Sequence, residues 1–283
     1  MQRIDTEFTG PIQAAAAALG LGVPPKWHAL HGGRSNHLFW GDFPDGKLVL
    51  KFFDDARSNP LFPNTVRDEQ NALLALTDTG LAPIFRGLTK TDFGDCIVYD
   101  FVDGTVPLQT SAQTMTALAR LHSHGGAQIF RHIPSAPSDI RAQGMSFLEH
   151  DLSPRAVLLR ANVPEVSNVP AAVSCFLHGD PTPANSVITS QGLSFVDWQC
   201  PALGDPIHDL AIALSPAMHV VDGADPLSDA QTDTLLAAYG NTEVTDRYRV
   251  LAPLYHWRMA CYCQWKARNG EAAFAAAGLA EFS

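Results

Sequence analysis

The sequence has 283 residues, 46% hydrophobic and 17% charged. That is ordinary soluble material, ample for two lobes with a shared interface, and it excludes a disordered chain. A formal net charge of −10 argues against a nucleic-acid or anionic-membrane partner, since both need a basic face. The five cysteines, Cys96, Cys175, Cys200, Cys261 and Cys263, are odd in number and form no CxxC pair, so reduced thiols in a cytoplasmic protein are expected.

In chain order, Met1 to Gly10 carries acids and no apolar core, so no secretory signal is expected. The alanine run Ala14 to Ala18, followed by Gly20 and Gly22, reads as an amphipathic helix rather than a membrane span. Residues 37–43 and 47–53 flank Pro44-Asp45-Gly46 and read as a hairpin. A helical run follows at 65–78, closed by Gly80. Strand-like runs at 82–88 and 96–102 flank the polar segment 91–95. From about residue 107 the pattern turns helical, with amphipathic stretches at 110–122, 138–150, 228–239 and 246–268. A second hairpin interrupts it at 186–197. The expected architecture is α+β, with a small antiparallel-sheet lobe over 1–102 and a larger helical lobe over 103–283.

The segment His178 to Asp197 carries the chemistry. Its strands, 186–189 and 193–196, are separated by Ser190-Gln191-Gly192, and pairing them about Gln191 sets Asn185 opposite Asp197. A carboxylate and an amide oxygen there are hard donors of the kind Mg²⁺ prefers. Asp180 enters beside them, so one acid is placed to accept a hydroxyl proton while the other groups hold a cation on nucleotide phosphates. In the first lobe Lys51 lies on a strand. Glu69 shares a helical stripe with Val66, Leu73 and Leu76, which buries an acid and calls for a cationic partner such as Lys51.

His178-Gly179-Asp180, then Asn185, then Asp197-Trp198, followed by Gly204-Asp205-Pro206 and Asp209-Leu210-Ala211, resembles the aminoglycoside phosphotransferase and choline/ethanolamine kinase superfamily. The resemblance implies a two-lobed protein-kinase-like fold, ATP and Mg²⁺ as cofactors, and a small-molecule alcohol as acceptor. By it, Asp180 is the catalytic base, Asn185 and Asp197 bind the metal, and His178 and Asp209 support the catalytic loop. His31-Gly32-Gly33-Arg34-Ser35-Asn36 is similar to the family's phosphate-covering loop, which brings in Gly33, Ser35 and Asn36 beside Lys51 and Glu69. The run 96–104 resembles the hinge, with the backbone of Asp100 and Val102 on the adenine edge beyond Tyr99. Pro181-Thr182 departs from the Leu-His of many relatives, a change expected on the substrate side.

Other patterns have simpler readings. Gly41 to Lys47 nearly spells a Walker A loop, but Leu48 stands where Ser or Thr is required and a strand follows instead of a helix. No GxSxG elbow accompanies the His31-Gly32-Gly33 segment. His122 and His124 lack a third ligand, and Cys261 and Cys263 point apart on a helix.

Seven residues separate Asp197 from Asp205, too few for a peptide-docking activation segment, so the acceptor is expected to be small. The aromatic run 255–265 reads mainly as core. A sharper reading has Tyr255, Trp257, Tyr262 or Trp265, with Trp198 and Asp205, cupping an ammonium group, which favours a choline-, ethanolamine- or thiamine-like alcohol. An aminoglycoside, sugar or amino sugar is the alternative acceptor. A nucleotide-binding pseudokinase is the alternative of another class.

Overall fold

The structure, a computed structural model, describes residues 6–22, 26–30, 35–43, 46–54, 58–125, 129–166, 169–170 and 172–282. Packing divides the chain into two compact units, Met1–Thr105 with Thr189–Cys200, and Val106–Ile188 with Pro201–Ser283. This differs from a single cut after residue 102, because Thr189–Cys200 returns to the first unit. Backbone bonds carry that return: Phe195 N–H donates to Leu81 O at 2.9 Å, and Thr65 N–H to Gln199 O at 3.4 Å.

The first unit opens with α1 (Thr6–Ala18), which carries the alanine run. Its five-stranded antiparallel sheet comprises β1 (Trp27–Leu30), β2 (Asn36–Phe43), β3 (Gly46–Phe53), β4 (Phe85–Thr91) and β5 (Gly94–Asp100), ordered β1-β2-β3-β5-β4. β2 and β3 form the expected hairpin; its turn residues Pro44 and Asp45 lie outside the described residues. Successive strand residues face opposite sides. Leu48, Leu50 and Phe52 of β3 join Phe8, Ile12 and Ala15 of α1 in one core cluster, so Lys51 faces the other side. There α2 (Val66–Ala75) follows β3.

α2 is shorter than the expected 65–78. The Thr77 and Thr79 hydroxyls donate to the carbonyls of Leu73 and Leu76, at 3.2 and 2.6 Å, and close the helix before Gly80. β4 and β5 also run further into the polar segment than expected. Lys90 pairs with Asp95 and Thr91 with Gly94, leaving Asp92-Phe93 as a tight turn.

In the second unit β6 (Cys175–Leu177) pairs antiparallel with β9 (Ala202–Gly204). β7 (Ser186–Thr189) and β8 (Gly192–Phe195) make the short hairpin, and the division between units falls within β7. The helices are α3 (Ala112–His122), α4 (Pro137–Phe147), α5 (Pro154–Ala161), α6 (Ile207–Ala213), α7 (Pro216–Val221), α8 (Asp229–Tyr239), α9 (Thr242–Arg268) and α10 (Ala273–Ala280). α6 is buried along its whole length, so it lacks the one-sided stripe by which sequence periodicity reveals a helix. α9 packs against α4, α5, α6 and α10. Gly144 of α4 makes room for Trp257: a Cβ there would lie 2.2 Å from the indole ring. Among the described residues no helix is long and apolar enough to cross a membrane.

Candidate active site

The first unit brings Lys51, Glu69 and Asp197 together. Lys51 is fully buried, and its ammonium bonds both the Glu69 and the Asp197 carboxylates. Burial alone would lower the Lys51 pKa, but Asp197 and Glu69 together raise it. Burial pushes Glu69 from 4.5 up to about 7, against the pull of Lys51 and with the Asp197 charge adding to the rise. The opposite treatment of the two partners has one cause. A single ammonium serves two carboxylates in a dry site, so it gains twice while Glu69 gains once. Tyr99, buried beside them, is driven well above its ordinary value by burial and then by the Glu69 and Asp197 charges. Asp197 occupies the left-handed region at φ 64, a conformation Asp tolerates better than most side chains.

Asn36 holds a different position from the one expected of it. Its side chain is 9% exposed and fully engaged within the first unit. Nδ2 donates to Asn64 Oδ1 at 2.9 Å and Gln199 Oε1 at 2.8 Å. Oδ1 accepts from Asn64 Nδ2 at 2.9 Å and from the Asp54 N–H at 3.1 Å. Asn36 therefore fastens the start of β2 to the segment that carries Asp197, and its amide is committed to protein. Asn64 and Gln199 escaped the sequence reading. Nothing in the local pattern marks them, since Asn36 lies 28 and 163 residues from these partners. Gly33, with His31, Gly32 and Arg34, lies outside the described residues; Ser35 is half-buried at the entry to β2.

At the end of β5 the Asp100 N–H donates to Ile84 O and the Phe101 N–H to Lys47 O, each at 2.9 Å. The Asp100 carboxylate takes Arg86 at 2.5 and 2.8 Å. Among the described residues the Val102 amide makes no such backbone bond.

In the second unit β6 delivers His178, Gly179 and Asp180. Gly179 has φ 88, which a side chain would make costly. The buried Asp209 carboxylate of α6 accepts the His178 N–H at 2.7 Å and the Gly179 N–H at 2.9 Å. It also bonds His122 Nε2 at 3.1 Å, and His122 Nδ1 meets the Tyr239 hydroxyl at 2.8 Å. Burial works to raise Asp209, but the His122 hydrogen bond and the surrounding histidines hold it below its ordinary value. The turn before β7 places Asn185, whose Nδ2 donates to the Asp180 carbonyl at 2.9 Å and carboxylate at 3.2 Å. That leaves Asn185 Oδ1 as the atom available to a cation. The Asp197 side chain is 25% exposed and Lys51 occupies Oδ1, so an oxygen remains there too. Both are hard donors that fit Mg²⁺. A cavity of about 830 Å³ in this unit, lined by His122, Cys175, Tyr239 and Arg247, adjoins the same supporting network.

The residues expected to cup an ammonium group are used otherwise. Tyr255, Trp257 and Tyr262 are each no more than 2% exposed. Trp257 Nε1 donates to Leu159 O at 2.8 Å, Tyr262 packs on Phe147 and Phe274, and Trp265 sits against Phe147 and Tyr262. Trp198, in the first unit, is fully buried and donates to Phe195 O at 3.0 Å. Asp205 is ion-paired with Arg247 and also accepts the Ile207 N–H. The aromatic cage is therefore corrected to core packing: α9 has helices on several sides, so its stripe has protein to fill rather than a ligand to face.

The sequence matches the model of the phosphotransferase enzyme family over residues 26–254. The chain belongs to that family. It is similar in fold to a choline/ethanolamine kinase family protein from Mesorhizobium loti, 18% identical with TM-score 0.64, over 96% of this chain and 92% of that one. It is also similar to a type I macrolide 2'-phosphotransferase, 18% identical with TM-score 0.62, over 99% and 98%. A third likeness is to a spectinomycin phosphotransferase in complex with ADP and spectinomycin, 13% identical with TM-score 0.60, over 100% and 92%. At these identities the likeness establishes the kinase-like α+β fold. No curated protein matches the chain in sequence.

Proposed function

We propose that this phosphotransferase moves the γ-phosphoryl group of ATP onto a hydroxyl of a small molecule, with Asp180 as the base. The acceptor hydroxyl gives its proton to the Asp180 carboxylate as its oxygen bonds the γ-phosphorus. The bond from phosphorus to the bridging oxygen breaks, and ADP leaves with that electron pair. The products are ADP and a phosphate monoester, and Asp180 returns its proton to solvent. Lys51, held by Glu69, would contact nucleotide phosphates. The adenine would lie on the Asp100 and Val102 backbone. Asn185 and Asp197 would supply oxygens to Mg²⁺, which when bound neutralises the phosphate oxygens. The ADP in the spectinomycin enzyme's complex supports an adenine nucleotide.

The observation that carries this reading is the double hydrogen bond from Asn185 to Asp180, which joins the proposed base to a proposed metal ligand. A pseudokinase would be favoured by loss of a site residue, yet Lys51, Glu69, Asp180, Asn185 and Asp197 are all present in the sequence. A choline-, ethanolamine- or thiamine-like acceptor shares its chemistry with the name of the Mesorhizobium loti protein, but the aromatic lining it would need is spent on core. An aminoglycoside or sugar acceptor would correspond to the named substrates of other structural relatives. ADP formation from Mg·ATP, measured across alcohols, sugars and aminoglycosides, tests the reading. Acceptor-dependent ADP release supports it; nucleotide binding without turnover of any acceptor contradicts it.

A further inference from the structure

Two helices of the second unit end on residues that meet beside Asp209. α3 closes on His122 and α8 on Tyr239, and the two helices pack against each other. Gly240 ends α8 in the left-handed region at φ 79, a conformation that favours glycine. The Asn241 side chain then starts α9 by accepting the Val244 N–H at 3.2 Å. The chain beyond Tyr239 is thereby fixed. The Tyr239 side chain, 5% exposed, brings its hydroxyl to His122 Nδ1 at 2.8 Å.

Counting hydrogens fixes the direction of each contact. The Asp209 carboxyl group, held below its ordinary value, has no hydrogen to give. It accepts from the His178 N–H at 2.7 Å and the Gly179 N–H at 2.9 Å. Its third contact, His122 Nε2 at 3.1 Å, is therefore a ring N–H that donates to it. The Tyr239 hydroxyl does have a hydrogen to give: burial, with Cys175, Asp209 and Asp205 adding to it, pushes the group above its ordinary value. An imidazole that carries its one hydrogen on Nε2 offers Nδ1 as an acceptor, and the Tyr239 O–H is the donor that matches it.

We infer that Tyr239 is a positioning residue for the reaction: its hydroxyl reserves His122 Nδ1 as an acceptor, keeps the ring hydrogen on Nε2, and so keeps Asp209 on the amides that lead to Asp180. The effect on turnover rests on the phosphotransferase reading; the chain of hydrogen bonds does not. Without that donor the ring is free to carry its hydrogen on Nδ1. Nε2 then turns a lone pair toward the Asp209 carboxylate, and two acceptors face each other away from water, which is costly. The carboxylate yields, and the His178 and Gly179 amides lose the group that fixes them.

The test reads the ring and the reaction separately. In full-length protein with isotope-labelled histidine, the His122 ring signals are those that disappear in His122→Gln. Nuclear magnetic resonance should show hydrogen on Nε2 and a bare Nδ1 in the wild type, and both tautomers in Tyr239→Phe. Hydrogen on Nδ1 in the wild type, or a ring unmoved by Tyr239→Phe, would overturn the inference. In ADP release with an acceptor that turns over, Tyr239→Phe should lower kcat on the order of 3- to 10-fold, the weight of one net hydrogen bond, and leave both KM values unchanged. Tyr248→Phe removes another buried phenol of the same unit and should leave kcat as it is. His122→Gln keeps a donor toward Asp209 but has no Nδ1, so adding Tyr239→Phe to it should cost nothing further. Losses that add, or a raised KM at wild-type kcat, would also overturn the inference and leave the phosphotransferase reading standing. No ADP release with any acceptor would remove that reading and the role in turnover, while the ring spectra decide the hydrogen-bond chain on their own.

Discussion

Asn185 grips Asp180 twice, through its backbone carbonyl and its carboxylate, with one Nδ2 at 2.9 and 3.2 Å. One amide thereby fixes the carboxylate and presents its own oxygen elsewhere. Asn185→Ala should raise the Mg²⁺ concentration needed for half-maximal activity. Asn185→Asp, though a stronger cation ligand, should impair turnover as well, because it sets a second carboxylate against Asp180. Mg²⁺ titrations of both variants check this; an unaltered Mg²⁺ dependence in Asn185→Ala would contradict it.

Glu69 makes the apoprotein pH-dependent in a defined direction. Its folded pKa, about 7, stands above the ordinary 4.5, so between these values the folded chain holds more proton than the unfolded one. Stability from this group is full below pH 4.5 and is lost as pH rises toward about 7. Melting temperatures across that window should fall less steeply in Glu69→Gln than in the wild type. An identical slope would show that Glu69 titrates normally.

The Asn36 network makes a prediction about an acceptor atom. Gln199 enters it only through Oε1 toward Asn36, so Gln199→Glu keeps the accepted bond and Gln199→Met loses it. The Met variant should lose about 1–3 kcal/mol of stability, the cost of a buried donor left short, with a raised KM for ATP. Glu should behave better than Met by denaturant unfolding and steady-state kinetics. Equal tolerance of the two would mean the network positions nothing.

Asp209 answers the backbone amides of His178 and Gly179 from full burial. Asp209→Ala should cost about 3–5 kcal/mol and lower turnover with it. In the wild type this group's contribution is present above the ordinary 3.8 and disappears as pH falls through its lower folded value. Acid unfolding of the two proteins gives the comparison: an Asp209→Ala variant that unfolds at the wild-type pH and denaturant concentration would contradict the role.

The sequence was most legible where pattern and partner are local. The stripe Glu69, Leu73 and Leu76 is buried as its spacing requires, and the hairpin of β2 and β3 follows its turn. The aromatic run of α9 misled because periodicity tells which residues share a face and not what covers that face. Helices α4 and α10 cover it here. The contacts of Asn36 with Asn64 and Gln199 arise from tertiary packing, between residues far apart in the chain.

The most direct test of the account is Asp180→Asn, assayed for phosphoryl transfer and, separately, for Mg·ATP binding. The account predicts nearly abolished transfer with binding close to wild type, because Asn185 can still donate to the backbone carbonyl of residue 180 and the new amide cannot accept the hydroxyl proton. Near-normal turnover in that variant would show that Asp180 is not the base.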